Sequence, residues 1–117
     1  VGRDRHRHRP DAGAYLLDRH DRPTAIITVS DVLALGVLEA MRQRGITPGR
    51  DLSLVGFDDV PGAADAGLTT VRQPIAERGR IAGRMLLDPD YTERRIVLPT
   101  ELVVRSSTGP ATTPQTR

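Results

Sequence analysis

Two adjacent carboxylates, Asp58 and Asp59, are the side chains of this 117-residue chain that are best suited to hold a polar ligand. They follow the apolar run LSLVGF, residues 52–57, whose composition favours a buried strand. Ligands of open α/β sheets bind outside the carboxyl ends of the strands, so both carboxylates are expected at a binding edge. Phe57 would supply an apolar wall beside them. The stretch therefore predicts a site for a polar ligand.

An acid–base enzyme would need a different arrangement. Neighbouring residues of a strand point to opposite faces, so Asp58 and Asp59 are poorly placed to act together on one bond. Glycoside hydrolysis, for example, requires two carboxyl groups that flank the scissile bond. No histidine, cysteine or metal-spaced cluster accompanies the pair. We therefore predict a protein that is not an enzyme and that has no metal site and no cofactor.

Composition narrows the class of protein further. The chain has no cysteine, which excludes disulfides, thiol catalysis and cysteine-ligated zinc, and its 3% aromatic content predicts a modest core. All 17 basic residues are arginine, and most are scattered rather than clustered on one face as nucleic-acid binding requires. No apolar run approaches membrane-spanning length and these residues contain no secretion signal, so we expect a cytoplasmic protein.

The amino-terminal end is the one charge-dense segment. Arg3, Arg5, Arg7 and Arg9 alternate there with aspartate and histidine. This pattern would suit a phosphate-binding or metal-binding arm, but charge-dense termini are usually solvated and irregular, and we favour that interpretation. Residues 1–22 are accordingly predicted as an irregular end and a partial helix.

The elements that must position the carboxylates alternate between strand and helix. Residues 25–29 predict a buried strand, and a helix follows from a cap at Ser30 or Asp31 to Gly45, which suits the position after a helix. With residues 52–57 they form a strand–helix–strand unit, whose strands should be parallel.

The second half continues this alternation. Pro74 is expected in the first turn of another helix, where its missing N–H costs nothing. The Ser-, Thr- and Pro-rich residues 106–117 are predicted as a disordered tail. Strands are predicted at residues 68–72, 95–98 and 100–104.

The first turn of the helix that follows Ser30 is apolar on every side, with Val32, Leu33, Ala34 and Leu35 in succession. A helix that lies on a sheet needs only one apolar stripe, so a further element must cover the rest. A dimer interface and a neighbouring helix explain the pattern equally well at this point.

Four segments together resemble the LacI/GalR family of transcriptional regulators, in the carboxyl-terminal part of its sugar-binding domain. The resemblance implies an α/β fold with a parallel sheet, a periplasmic-binding-protein-like type I lobe, in residues 23–105. It also implies that the helix after Pro74 and the crossing strands belong to a second lobe. The segments are PTAIITVSDVLALGVLEAMRQRG at 23–45, DLSLVGFDD at 51–59, LTTVRQP at 68–74 and LPTELVVRSST at 98–108.

The resemblance also implies individual site residues. Asp58 matches the family aspartate that accepts hydrogen bonds from ligand hydroxyls, Ser30 matches a sugar contact, and Gln73 matches a position near the hinge and the ligand. Asp31 and Phe57 complete the predicted ligand-binding set. The chemistry of Asp58 agrees, because a carboxylate accepts charge-assisted hydrogen bonds from neighbouring hydroxyls. Structural alternatives stay open: Ser30 and Asp31 as helix caps, and Asp59 as a partner of loop N–H groups.

The partners implied by the resemblance follow from the same matches. Leu33, Leu35 and Leu38 would line the interface of a homodimer. The effector would be a small molecule, by preference a carbohydrate, with a sugar phosphate or a purine as the open alternatives. Operator DNA would be bound through a helix-turn-helix headpiece that these residues do not include. The alternative is a secreted sugar-binding protein of an ABC-type transporter, which has the same fold.

Overall fold

The computed structural model describes residues 8–113, with the side chains described from residue 13 onward. Of the predicted charged arm, Arg3, Arg5 and Arg7 lie outside these described residues, and Arg9 lies in the helix His8–Leu17. The elements are α1 (His8–Leu17), β1 (Ala25–Ile27), α2 (Asp31–Gln43), β2 (Ser53–Asp58), β3 (Thr69–Arg72), α3 (Ile75–Leu87) and β4 (Glu101–Val103). Within this part of the chain, none of the helices has the length and hydropathy that a membrane span requires.

The strands form one mainly parallel sheet in the order β1-β2-β3-β4. The pairs β1–β2 and β2–β3 are parallel, and β4 runs antiparallel to β3. The predicted parallel strand–helix–strand unit is confirmed. The prediction that residues 25–29 form a buried strand is wrong in part, because β1 ends at Ile27 and only Ile26 is buried. Because neighbouring parallel strands end at the same edge, this sheet brings together the residues that follow β1, β2 and β3.

Helix α2 begins and ends where its sequence predicts. Ser30 has extended backbone geometry, and its Oγ accepts a 3.4 Å hydrogen bond from the backbone N of Leu33, which satisfies one of the free N–H groups of the first turn. At the other end Gly45 adopts a φ of 65°, the left-handed conformation that glycine tolerates best. Both predicted helix boundaries are confirmed.

The core lies between α2 and one face of the sheet. The buried stripe of α2 includes Ala34, Val37 and Met41, and it faces Ile26 and Leu54 of the two neighbouring strands. Helix α1 packs on α2, and Gly13 permits this close approach, since a Cβ there would lie 3.2 Å from Val37 Cγ2. The small core agrees with the composition.

Helix α3 stands apart from this core. None of its residues is buried, and Leu86 and Leu87 are each 85% exposed. Pro74 precedes the helix directly as its N-cap residue instead of occupying the first turn as predicted. A helix with an apolar stripe but no covering layer fits the implied second lobe.

Two predictions for the carboxyl-terminal part are wrong. Residues 95–98 form no strand, and β4 is limited to Glu101–Val103. Disorder does not begin at residue 106, because Ser107 is buried and joins two strands: its Oγ donates to Leu54 O (2.6 Å) and accepts from Thr69 N (2.8 Å). Hydroxyl groups can hold a segment on a sheet without apolar burial, and composition alone does not reveal this.

Candidate functional site

The edge where β1, β2 and β3 end carries three of the predicted ligand residues. Ser30 follows β1, Asp58 is the last residue of β2, and Gln73 follows β3. The register pairs Asp58 with Arg72, so Gln73 lies one residue beyond the partner of Asp58. The structure therefore brings Asp58 and Gln73 together, as the resemblance implies.

Asp58 has one carboxylate oxygen engaged and one available. Gln73 Nε2 donates a 2.7 Å hydrogen bond to Asp58 Oδ1, and Arg78 Nη1 in the first turns of α3 donates a 2.9 Å bond to Gln73 Oε1. No described residue donates to Asp58 Oδ2. A partly buried carboxylate with a free oxygen can accept a charge-assisted hydrogen bond from a ligand hydroxyl.

The turn that carries the two aspartates is strained. Asp58 has a φ of 124° and Asp59 a φ of 61°, values that L-residues rarely adopt. Such conformations persist only where the surrounding structure holds them, and they concentrate at functional sites. This turn sends the two carboxylates to different partners.

Asp59 forms a structural ion cluster. Its Oδ1 accepts from Arg105 Nη1 (2.9 Å) and its Oδ2 from Arg72 Nε (2.6 Å), with only 11% of the side chain exposed. The hydrogen bond from Arg105, followed by that from Arg72, lowers the pKa of the Asp59 carboxyl. Arg105 also donates to Leu68 O, and Arg72 contacts Glu101. Two arginines, instead of loop N–H groups, are thus the partners of Asp59.

The prediction that Asp31 contacts a ligand is wrong, because its side chain is fully buried. Its Oδ1 accepts a 2.6 Å hydrogen bond from Thr70 Oγ1, and its Oδ2 accepts a 2.9 Å bond from Val60 N. Gly56 makes room for it, since a Cβ at that position would collide with Asp31 Oδ1. Gly56 and Thr70 are register partners in β2 and β3, so both lie beside the Asp31 carboxylate.

Ser30 and Phe57 both stay candidates for contact with a ligand. Ser30 is half-buried and caps α2, and a further contact with a ligand stays a prediction. Phe57 is 37% exposed immediately before Asp58, so its ring is accessible at this edge of the sheet.

The three predicted interface leucines are all partly buried, and they differ in their surroundings. Leu35 and Leu38 line a shallow groove beside the loop after α2, whereas Leu33 does not. Leu38 also packs against the core. The groove is otherwise lined by Glu39, Arg42, Gly45, Ile46, Thr47, Pro48 and Ala66.

Three participants escaped the sequence analysis: Thr70, Arg78 and Arg105. Thr70 reaches Asp31 from β3, Arg78 reaches Gln73 from the start of α3, and Arg105 reaches Asp59 from the segment after β4. Among the described residues, no three histidine, cysteine or acidic side chains are grouped so that they could hold a metal ion.

Comparison with known proteins gives consistent matches. The sequence model of one protein family, the periplasmic binding protein-like domain, matches residues 2–108 of this chain. The chain is 50% identical over 104 residues to the HTH-type transcriptional regulator DegA of Bacillus subtilis. The aligned region covers 84% of this chain and 31% of DegA.

Solved structures of regulators have a similar fold. A LacI family transcriptional regulator from Enterococcus faecium with bound ribose matches with a TM-score of 0.80 and 29% identity, over 89% of this chain and 40% of that one. The lac repressor dimer bound to operator and an anti-inducer matches with a TM-score of 0.79 and 28% identity, over 87% and 37% of the two chains. The present chain thus spans less than half the length of each of these relatives.

Proposed function

Because this chain belongs to the periplasmic binding protein-like domain family and is part of the effector domain of a LacI/GalR-type regulator, we propose that it binds a small hydroxylated effector beside Asp58. The effector, in the class of carbohydrates, would control the affinity of a full-length regulator for operator DNA. The observation that carries the proposal is the Asp58–Gln73 pair at the common end of three strands.

The chemistry of this pair suits a sugar. Asp58 Oδ2 is available to accept from a hydroxyl, and Gln73 Nε2 holds Oδ1 at 2.7 Å, so the carboxylate is oriented before a ligand arrives. Sugars present neighbouring hydroxyl donors, and an aromatic ring such as Phe57 can pack on their apolar face. Ser30 would add a hydroxyl from the adjacent strand end. The bound ribose in the Enterococcus faecium regulator supports this class of ligand.

A homodimer is the proposed oligomeric state, with Leu33, Leu35 and Leu38 at its interface. The groove beside Leu35 and Leu38 supports this, because it leaves apolar surface of α2 uncovered by the described residues. The lac repressor is a dimer in the similar structure. In a symmetric dimer the same patch would face its own copy across a two-fold axis. Leu35 is the central residue of the proposal.

The proposed full-length protein function is that of a ligand-responsive transcriptional regulator located in the cytoplasm, and not that of an enzyme. Asp58 and Asp59 support this, since they have separate partners and do not face one another across a bond. A transporter's secreted binding protein would have the same fold, but the similar protein DegA is a transcriptional regulator. Regulation would require the effector to bind two lobe arrangements with different affinities.

The experiment that tests the effector site is operator release by the full-length protein. A panel of monosaccharides, disaccharides, sugar phosphates and purines is titrated against the operator complex of the wild type, Asp58→Ala and Asp65→Ala. Loss of one hydrogen bond to a charged group costs about 1.5–3 kcal/mol, so Asp58→Ala should respond roughly tenfold to a hundredfold more weakly.

Asp65→Ala is the control variant for Asp58→Ala. Asp65 is exposed in the loop after β2, so its replacement should leave the response unchanged. Operator binding without effector should be equal in all three proteins. A wild-type response in Asp58→Ala would contradict the site, and release by purines alone would contradict the carbohydrate class.

A further inference from the structure

Asp31 is the one acidic residue that is buried among the described residues, and it lies behind the candidate site instead of inside it. It is the first residue of α2 and is completely buried. Burial of a carboxylate is unfavourable unless donors satisfy it, and here Thr70 Oγ1 and Val60 N do so at 2.6 and 2.9 Å. The positive end of the α2 dipole also favours an acidic residue in the first turn.

These contacts join four parts of the fold at one point. Asp31 belongs to α2, Thr70 to β3, and Val60 to the turn after β2, while Gly56 of β2 provides the space for the carboxylate. Val60 follows the two aspartates directly. The hydrogen bond to its N–H therefore fixes the carboxyl-terminal end of the strained turn.

We propose that Asp31 is a positioning residue, which holds Asp58 in its ligand-binding orientation through the backbone of Val60. The strained φ values of Asp58 and Asp59 require an external restraint, since an unrestrained turn would relax to more favourable backbone angles. Asp59 supplies one restraint through its arginines, and Asp31 supplies the other through Val60.

The same contact connects the effector site to the interface helix. Asp31 is two residues from Leu33 and four from Leu35 in the first turns of α2. A movement of the Asp58 turn would therefore be transmitted to the start of this helix, and the reverse holds as well. This consequence rests on the proposed effector site, whereas the positioning of Asp58 does not depend on any effector.

The test reads the position of Asp58 without a ligand. The full-length protein is labelled with 15N-glutamine, and the side-chain amide of Gln73, which donates to Asp58 Oδ1, is followed by NMR. Asp58→Ala gives the reference for a broken contact. Asp31→Ala should move the Gln73 signal most of the way toward that reference. In a second sample labelled with 15N-valine, the Val60 N–H should exchange about tenfold faster or more.

Two variants separate positioning from general stability. Asp31→Asn should restore the wild-type Gln73 signal, because its amide oxygen can accept from Val60 N while the Thr70 hydroxyl turns to accept from the amide nitrogen. Asp65→Asn is the matched control of an exposed aspartate and should change nothing. If Asp31→Ala does not fold, Asp31→Ser replaces it, since serine is tolerated near a helix start but is too short to reach Val60.

The outcomes are decisive in both directions. A Gln73 signal that moves in Asp31→Ala or Asp31→Ser and returns in Asp31→Asn supports the proposal. A signal that stays at its wild-type position in a folded variant overturns it, even if the variant unfolds at a lower temperature. Since no effector enters the measurement, a wrong effector class would leave this result intact.

Discussion

Replacement of Asp59 by asparagine should separate the charge of the ion cluster from the geometry of the turn. Asp59 adopts a φ of 61°, a left-handed conformation that asparagine tolerates better than alanine does. The substitution thus removes the carboxylate charge with little added backbone strain. Its effect should fall on the contacts with Arg105 and Arg72.

The expected cost follows from the burial of the partners. Arg105 has a side chain only 17% exposed, so its 2.9 Å contact with Asp59 is well shielded from water. Arg72 is 49% exposed, and contacts of that kind contribute little. A hydrogen bond between charged groups contributes about 1.5–3 kcal/mol, and an asparagine oxygen would keep a fraction of it. We expect Asp59→Asn to lower the free energy of unfolding by about 2 kcal/mol at pH 7.

The pH dependence provides a stricter test. The folded-state pKa of Asp59 is lowered from 3.8, so its contribution is complete above that value and is lost as the pH falls through the lower folded pKa. Urea unfolding of wild type and variant at a series of pH values should therefore show a difference that is constant near neutrality. The difference should shrink below about pH 4.

Two results would refute this reasoning. One is a difference at neutral pH no larger than that of Asp65→Asn, an exposed aspartate in the neighbouring loop. The other is a full-sized difference that persists when the carboxyl of the wild type is protonated. That second result would assign the effect to the shape of the turn and not to the charge.

Two further perturbations test the interface and the packing under the site. Leu35→Arg should leave the circular dichroism spectrum unchanged and abolish dimers in sedimentation, because it places a charge in the apolar groove of α2; an unchanged dimer would contradict the interface. Gly56→Ala should lower the free energy of unfolding by about 1–3 kcal/mol in urea titrations, because its Cβ would collide with Asp31 Oδ1; wild-type stability would contradict the close approach.

Several features of the fold are local, and the sequence predicts them. The cap at Ser30, the end of α2 at Gly45 and the parallel strand–helix–strand unit depend on residues close together in the chain, and all three agree with the structure. The position of Asp58 at the end of β2 follows from the same local pattern. Periodicity, capping chemistry and turn residues act over a few positions, so one sequence suffices to identify them.

Tertiary structure alone decided the partners of the polar side chains. Asp59 finds Arg105 46 positions away, Asp31 finds Thr70 39 positions away, and Ser107 reaches Leu54 across 53 positions. These pairings depend on which strands are neighbours and on their register, and periodicity does not encode either. A buried polar group must find a partner, but its identity depends on the three-dimensional arrangement. For this reason the sequence located the edge of the sheet where Asp58 lies, and the fold determined that Asp31 supports that edge from behind.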